Sequence, residues 1–93
     1  MEIKWTKLAQ EDLECIQKYI CDDNPTIAKK VILHIIDKVE TMIPTNPSVG
    51  RPGRVLGTRE LIIAKYPYTV PYRVKGNEVH ILRVLHASRK WEN

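Results

Sequence analysis

The apolar residues change period along the chain, and each change predicts an element. Ile3 and Trp5 alternate with Glu2 and Lys4, which reads as a short strand over residues 2–5. Ala9, Leu13, Ile16 and Ile20 then follow at steps of four, three and four. That spacing lays one stripe along an amphipathic helix over about residues 7–22, with Leu8 and Tyr19 at its flanks. Thr6 suits the N-cap, and Glu11 and Asp12 lie early, where the helix dipole favours acid. Asn24-Pro25 marks a second start, Asn as cap and Pro at the first helical position. Ala28, Val31, Ile32, Ile35, Ile36, Val39, Met42 and Ile43 fill an arc of about 140° at 100° per residue. One neighbour does not need so wide a face, so this helix is expected to pack on both the sheet and the first helix. Pro44 is expected to stop it.

Residues 44–58 gather three prolines and three glycines and read as a loop that also carries Arg51 and Arg54. Three strand-like runs follow: Arg59–Ala64, Tyr68–Val74 and Glu78–Leu85. The links between them are short, which predicts an antiparallel meander. Pro71 cannot donate to a ladder, so its strand is an edge there or carries a bulge. The fold class expected is α+β: a short N-terminal strand, a two-helix hairpin, then a three-stranded antiparallel meander with the helices on one face. The whole chain, 1–93, is expected to be one domain.

Register decides which side chains share a face. A three-residue loop at 75–77 would pair Tyr72 with His80 and Val70 with Leu82. Val70, Tyr72, Val74, Leu82 and Val84 would then form a core face, and Arg73 and Arg83 would share the other. A two-residue loop would set Arg83 opposite Val70, a charge in an apolar set. The three-residue loop is therefore expected, with Asn77 in the left-handed position.

Composition narrows the function classes. The fractions, 43% hydrophobic and 28% charged, are those of a globular chain and argue against disorder. No apolar run approaches the ~18 residues of a membrane span, and no secretory signal is visible at the N-terminus, so a cytoplasmic protein is expected. Cys15 and Cys21 sit six apart in one predicted helix and read as reduced thiols. The net charge of +4 is uneven. Residues 1–50 sum to −2 and residues 51–93 to +6. A basic half suits a polyanion or an acidic protein partner, although a solvated surface kept for solubility has the same composition.

No P-loop, GxGxxG, nucleophile elbow or Cys/His metal spacing occurs, so neither metal nor cofactor is expected. The chemistry concentrates in Ile81-Leu82-Arg83-Val84-Leu85-His86-Ala87-Ser88-Arg89-Lys90-Trp91. Arginines bind phosphate bidentately and stabilise extra negative charge in a transition state. A histidine titrating near neutrality can move a proton, and Trp91 could stack on an unpaired base. The plainer alternatives are that Arg83 pairs with an acid such as Glu60, that His86 caps the sheet edge, and that Trp91 folds back onto the core.

Over residues 2–91 the chain resembles the RelE/ParE superfamily of toxins from bacterial type II toxin–antitoxin modules. The segments that carry the likeness are Gly50–Leu61 (GRPGRVLGTREL), Pro67–Val74 (PYTVPYRV) and Val79–His86 (VHILRVLH). The resemblance implies a growth-arresting toxin with a cognate antitoxin as partner. Some members cut ribosome-bound mRNA without a metal; others poison DNA gyrase without nuclease chemistry. For a nuclease, Arg73, Arg83 and His86 would be the catalytic residues. Arg51, Arg54, Arg59, Arg89, Lys90 and Trp91 would bind the nucleic acid or other target. Several of the family's nucleases carry Arg after the Tyr of the Pro67–Val74 segment, where this chain has Thr69.

Overall fold

The computed structural model describes residues 1–89; Lys90 and Trp91, expected to bind the target, therefore lie outside the described residues. The elements run β1 (Glu2–Trp5), α1 (Lys7–Cys21), α2 (Pro25–Thr45), β2 (Arg51–Pro52), β3 (Arg59–Ile63), β4 (Tyr68–Lys75), β5 (Glu78–Ile81) and β6 (Leu85–His86). Both predicted caps form. Thr6 Oγ1 accepts from the Ala9 N–H at 3.2 Å, and Asn24 Oδ1 from the Ile27 N–H at 3.1 Å. Thr6 Oγ1 also donates to the Ile81 carbonyl at 2.7 Å, fixing the start of α1 to the end of β5. Pro44 does not stop α2, which runs one residue further, to Thr45. In a last turn the missing N–H removes one bond only, and Asn46 N–H still reaches the Met42 carbonyl at 3.1 Å.

The sheet is wider than a three-stranded meander, in the order β1-β5-β4-β3-β2 with β6 also on β4. β1 joins parallel to β5, and the expected loop before β3 contributes β2, paired antiparallel through Arg51↔Glu60 and Pro52↔Arg59. Along α2, Ala28, Val31, Ile35, Val39 and Ile43 are buried. These residues, apart from Ala28, join Leu61, Ile63, Val70, Tyr72, Val79 and Ile81 of the sheet in one core, with Ala9 from α1. Leu13, Ile16 and Ile20 pack on its margin. The wide arc of α2 thus serves two neighbours, sheet and α1, as its pattern requires.

The β4–β5 register differs from the three-residue expectation. Lys75 pairs with Glu78, Val74 with Val79, Arg73 with His80 and Tyr72 with Ile81. The turn is the two-residue Gly76-Asn77, and the left-handed residue is Gly76, φ 61°, rather than Asn77. The objection to this register was Arg83 opposite Val70, and a β-bulge removes it. Leu82 and Arg83 both direct their N–H to the Pro71 carbonyl, at 2.9 and 3.5 Å, and pairing resumes at Thr69↔Leu85. Three residues, 82–84, therefore oppose two, 70–71. The extra residue brings buried Val84, not Arg83, level with Val70. It also explains how a proline sits in a central strand, because the N–H that Pro71 lacks would face the bulge. No helix among the described residues is long and apolar enough to cross a membrane.

Candidate functional site

The register change separates the residues expected to act together. Tyr72 is fully buried on the helix side of β4, so Arg73, next along the strand, projects from the opposite, open face. There it stands exposed, opposite His80, whose neighbour on the far side is Lys4 of β1. Arg83 turns the other way, toward α1. Its Nε donates to Asp12 Oδ2 at 2.8 Å and one Nη to Oδ1 at 3.0 Å. The Val84 N–H donates to the same Oδ2 at 2.9 Å. The carboxylate thus holds both the guanidinium and the backbone of the bulge, and the hydrogen bond that Arg83 donates to Asp12 raises the Arg83 pKa above its ordinary value. The expectation that Arg73 and Arg83 share one open face is corrected: one residue inserted at the bulge sends Arg83 to the helix side. The plainer alternative, an ion pair, is right in kind, although the partner is Asp12 and not Glu60.

His86 lies at the end of β6, exposed, edge-on to Tyr68 with ring centroids 5.7 Å apart. Its Nδ1 accepts from the Ser88 N–H at 3.2 Å and lies 2.8 Å from the Ser88 hydroxyl. The neutral ring therefore carries its proton on Nε2. His86 borders a groove of about 360 Å³ between α1 and the β4–β6 ladder, lined also by Asp12, Cys15, Tyr19, Tyr68 and Arg89. Burial pushes the Tyr68 phenol pKa up. Cys15 and Cys21 are exposed and unlinked.

The basic residues of the second half divide by what holds them. Arg51 pairs with Glu60, Nη to Oε1 at 3.1 Å, and the Arg54 backbone N–H caps the other oxygen at 3.1 Å. Glu60 is 4% exposed, so this bridge folds the 53–58 loop over a buried carboxylate. Arg59 donates to the Gly50 carbonyl at 2.8 Å and steadies the entry to β2. The Arg54, Arg73 and Arg89 side chains are exposed and make no ion pair among the described residues. Among these residues no group of His, Cys, Asp or Glu could hold a metal.

Two residues organise more than the sequence pattern predicts. Asp12, expected only as an acid favoured by the helix dipole, lies three after Ala9 and four before Ile16, on the flank of the apolar stripe. An acid at stripe spacing is the available signal for a half-buried partner. Tyr72 is a core residue, as expected, and in addition its hydroxyl donates to the Pro47 carbonyl at 2.7 Å and accepts from the Gly50 N–H at 2.9 Å. A Cβ at Gly50 would lie 2.7 Å from the Tyr72 ring, so this crossing admits glycine alone.

Comparison with known proteins matches residues 3–91 to the family model described as ParE toxin of type II toxin–antitoxin system, parDE. The Sinorhizobium fredii protein Y4kP, provisionally named a toxin, is 42% identical over 96% of this chain and 91% of its own. Toxin RelE2 of Caulobacter vibrioides is 32% identical over 95% of this chain and 97% of its own. A chain of the chromosomal ParDE TA system from P. aeruginosa superposes with a TM-score of 0.83 at 34% identity, covering 92% of this chain and 95% of that one. The solution structure of Helicobacter pylori HP0894, at 23% identity and a TM-score of 0.58, shares the fold. The architecture is thus the α+β fold of RelE/ParE toxins.

Proposed function

This chain belongs to the ParE toxin family of type II toxin–antitoxin systems, and from that premise we propose a toxin that arrests growth by binding DNA gyrase rather than by cutting mRNA. The observation that carries this reading is the Asp12–Arg83 pair. A metal-free nuclease needs cations turned toward the scissile phosphate. Arg83 is bound through Nε and Nη to a carboxylate, whose charge offsets its own at close range. Arg73 stands across the sheet from it, and Thr69, where the resemblance places a nuclease arginine, is buried and neutral. Beside His86, the described lining of the groove offers a phosphate one exposed cation, Arg89, in place of the Arg73–Arg83 pair the sequence led one to expect. A toxin that stalls gyrase needs no tuned pKa, only complementary charge and anchors. The exposed side chains Arg54, Arg73 and Arg89, which make no ion pair among the described residues, supply that charge. The partner that neutralises the toxin is a cognate antitoxin, and the site of action is the cytoplasm, where gyrase works.

The test is induction of the chain in cells carrying a reporter plasmid. Gyrase poisoning predicts linearised or relaxed plasmid, intact ribosome-bound mRNA, and undiminished toxicity for His86→Gln. Codon-positioned mRNA cuts that vanish in His86→Gln would establish the nuclease instead. Co-expression of an adjacent antitoxin should restore growth under either target, and harmless high-level expression of the folded chain alone would count against any toxin.

A further inference from the structure

The loop from Gly53 to Thr58 is bonded more firmly than a link between two strands needs. The Gly53 N–H closes its base on the Thr58 carbonyl at 2.8 Å. The Thr58 N–H and hydroxyl both donate to the Val55 carbonyl, which closes the turn above it. The buried Glu60 carboxylate takes the Arg54 N–H from beneath. Two positions admit glycine alone: Gly57 has φ 81°, and a Cβ at Gly53 would lie 2.2 Å from Thr58 Oγ1. A loop held in this way has little freedom left to lose on binding.

The residue this frame holds out is Leu56, 95% exposed, more than any other large apolar side chain among the described residues. A single exposed leucine is ordinary on a flexible surface. Fixed at the apex of a bonded turn, it is a preformed convex anchor. The loop also has a defined place. Leu61 joins the core, so Glu60, next along β3, faces the open side of the sheet, and the loop folded over Glu60 lies on that side. Pairing of Arg59 with Tyr72 brings the return of the loop beside β4, where Pro52, Gly57, Thr58, Arg59 and Val74 line a cavity of about 330 Å³. Val74 is exposed and extends the apolar surface. Arg54 and Arg73 flank it, exposed and without an ion pair among the described residues. The carboxylate of this corner, Glu60, is buried and already engaged by Arg51.

We propose that Leu56 is the apolar anchor by which the toxin docks its target, entering an apolar pocket of a folded protein whose rim carries carboxylates for Arg54 and Arg73. The inference rests on the reading that the toxin acts by binding gyrase, and it names the point of contact. A convex tip needs a concave partner, which an extended peptide does not offer. Nucleic acid suits it poorly, because residues 53–58 hold no aromatic ring to stack on a base. A second copy docked tip to tip would set Arg54 and Arg73 against their own charge.

The test measures binding of the purified full chain to gyrase holoenzyme, to the adjacent antitoxin and to plasmid DNA alone, with thermal melting beside it. Leu56→Ala should weaken gyrase binding about tenfold or more. Leu56→Asp should weaken it further, and Leu56→Met should largely retain it. Growth arrest should fall in the same order, while melting temperature and antitoxin binding stay at the parent's values. Arg54→Ala should weaken gyrase binding less as salt is raised, whereas the Leu56→Ala defect should persist. Gyrase binding by the parent that Leu56→Asp leaves unchanged overturns the anchor and leaves the target standing. No gyrase binding by the parent overturns the target, and the anchor with it. An equal loss of antitoxin binding in Leu56→Ala would assign the tip to the antitoxin, and an equal loss of binding to plasmid DNA alone would assign it to nucleic acid; either result overturns the proposal.

Discussion

On the helix side of the sheet, Arg83 is held by two bonds to Asp12 beside a buried core. On the open side, Arg73 stands opposite His80 with no ion pair among the described residues. The same side chain therefore has two roles, and the difference comes from one bulge residue and one carboxylate. The helix side is organised for stability: apolar burial, a partnered charge and a bonded hydroxyl. The open side pairs Lys4 with Glu2 and leaves Arg73 to solvent and to whatever docks. Substitutions on the two sides should accordingly separate stability from toxicity.

The largest effect belongs to the core under α2. Ile35 is fully buried between α2 and the sheet. Ile35→Ala should cost about 2–4 kcal/mol through lost transfer energy and a residual cavity, against ~5–10 kcal/mol for a domain of this size. Urea titration followed by circular dichroism measures it, and a midpoint equal to the parent's would mean that α2 presents another face.

Next comes Asp12→Ala, at about 2–3 kcal/mol, since it leaves a half-buried guanidinium and the Val84 N–H without their acceptor. The cost is set below that of a fully buried pair because both side chains keep some exposure. Adding Arg83→Leu should recover part of the loss, because the stranded charge goes with it. A double variant no more stable than Asp12→Ala would show that the carboxylate acts chiefly through the backbone of the bulge.

That clamp also marks where the sequence stopped being legible. Caps, helix spans and core residues follow from short-range pattern and were readable: Thr6, Asn24-Pro25, and the burial of Ile35 and Val39. Register was not. Choosing between two loop lengths by counting alternation assumes an uninterrupted ladder, and the insertion at residues 82–84 broke it. The clue was present in Pro71, which requires a bulge or an edge, but nothing local says on which strand the extra residue lies. Asp12 and Arg83 are 71 positions apart, and no periodicity links them. The site argument built on a shared face failed for the same reason, whereas the family likeness, carried by segments, survived.

Tyr72→Phe should have a smaller effect, about 1–2 kcal/mol, from two backbone groups left without the hydroxyl. It also carries a pH signature. Burial raises the Tyr72 pKa above its usual value, so the folded state holds the proton to higher pH than the unfolded chain does. The associated stability is complete below the unfolded pKa near 10 and is lost as pH rises through the folded pKa. Stability of the parent should therefore fall more steeply than that of Tyr72→Phe above about pH 10. Parallel curves would place the alkaline sensitivity elsewhere, with Tyr68 the first candidate.

Arg73→Ala should have the smallest effect on stability, within about 0.5 kcal/mol, because the side chain is exposed and makes no ion pair among the described residues. Its consequence should appear in toxicity instead. If the open face docks the target, removing this cation lowers association more than dissociation is raised, since a rim charge steers encounter. Growth arrest should then need more toxin, and the difference from the parent should shrink as salt is raised in a gyrase binding assay, because screening weakens the parent's advantage. Arg73→Glu should deepen the defect, and Arg73→Lys should largely restore the parent, because steering needs charge and not the planar fork. A defect that Lys cannot repair would instead indicate a bidentate contact made by the guanidinium. Full toxicity in Arg73→Glu would remove the open face from the docking surface and leave the groove beside His86 and Arg89 as the place to look.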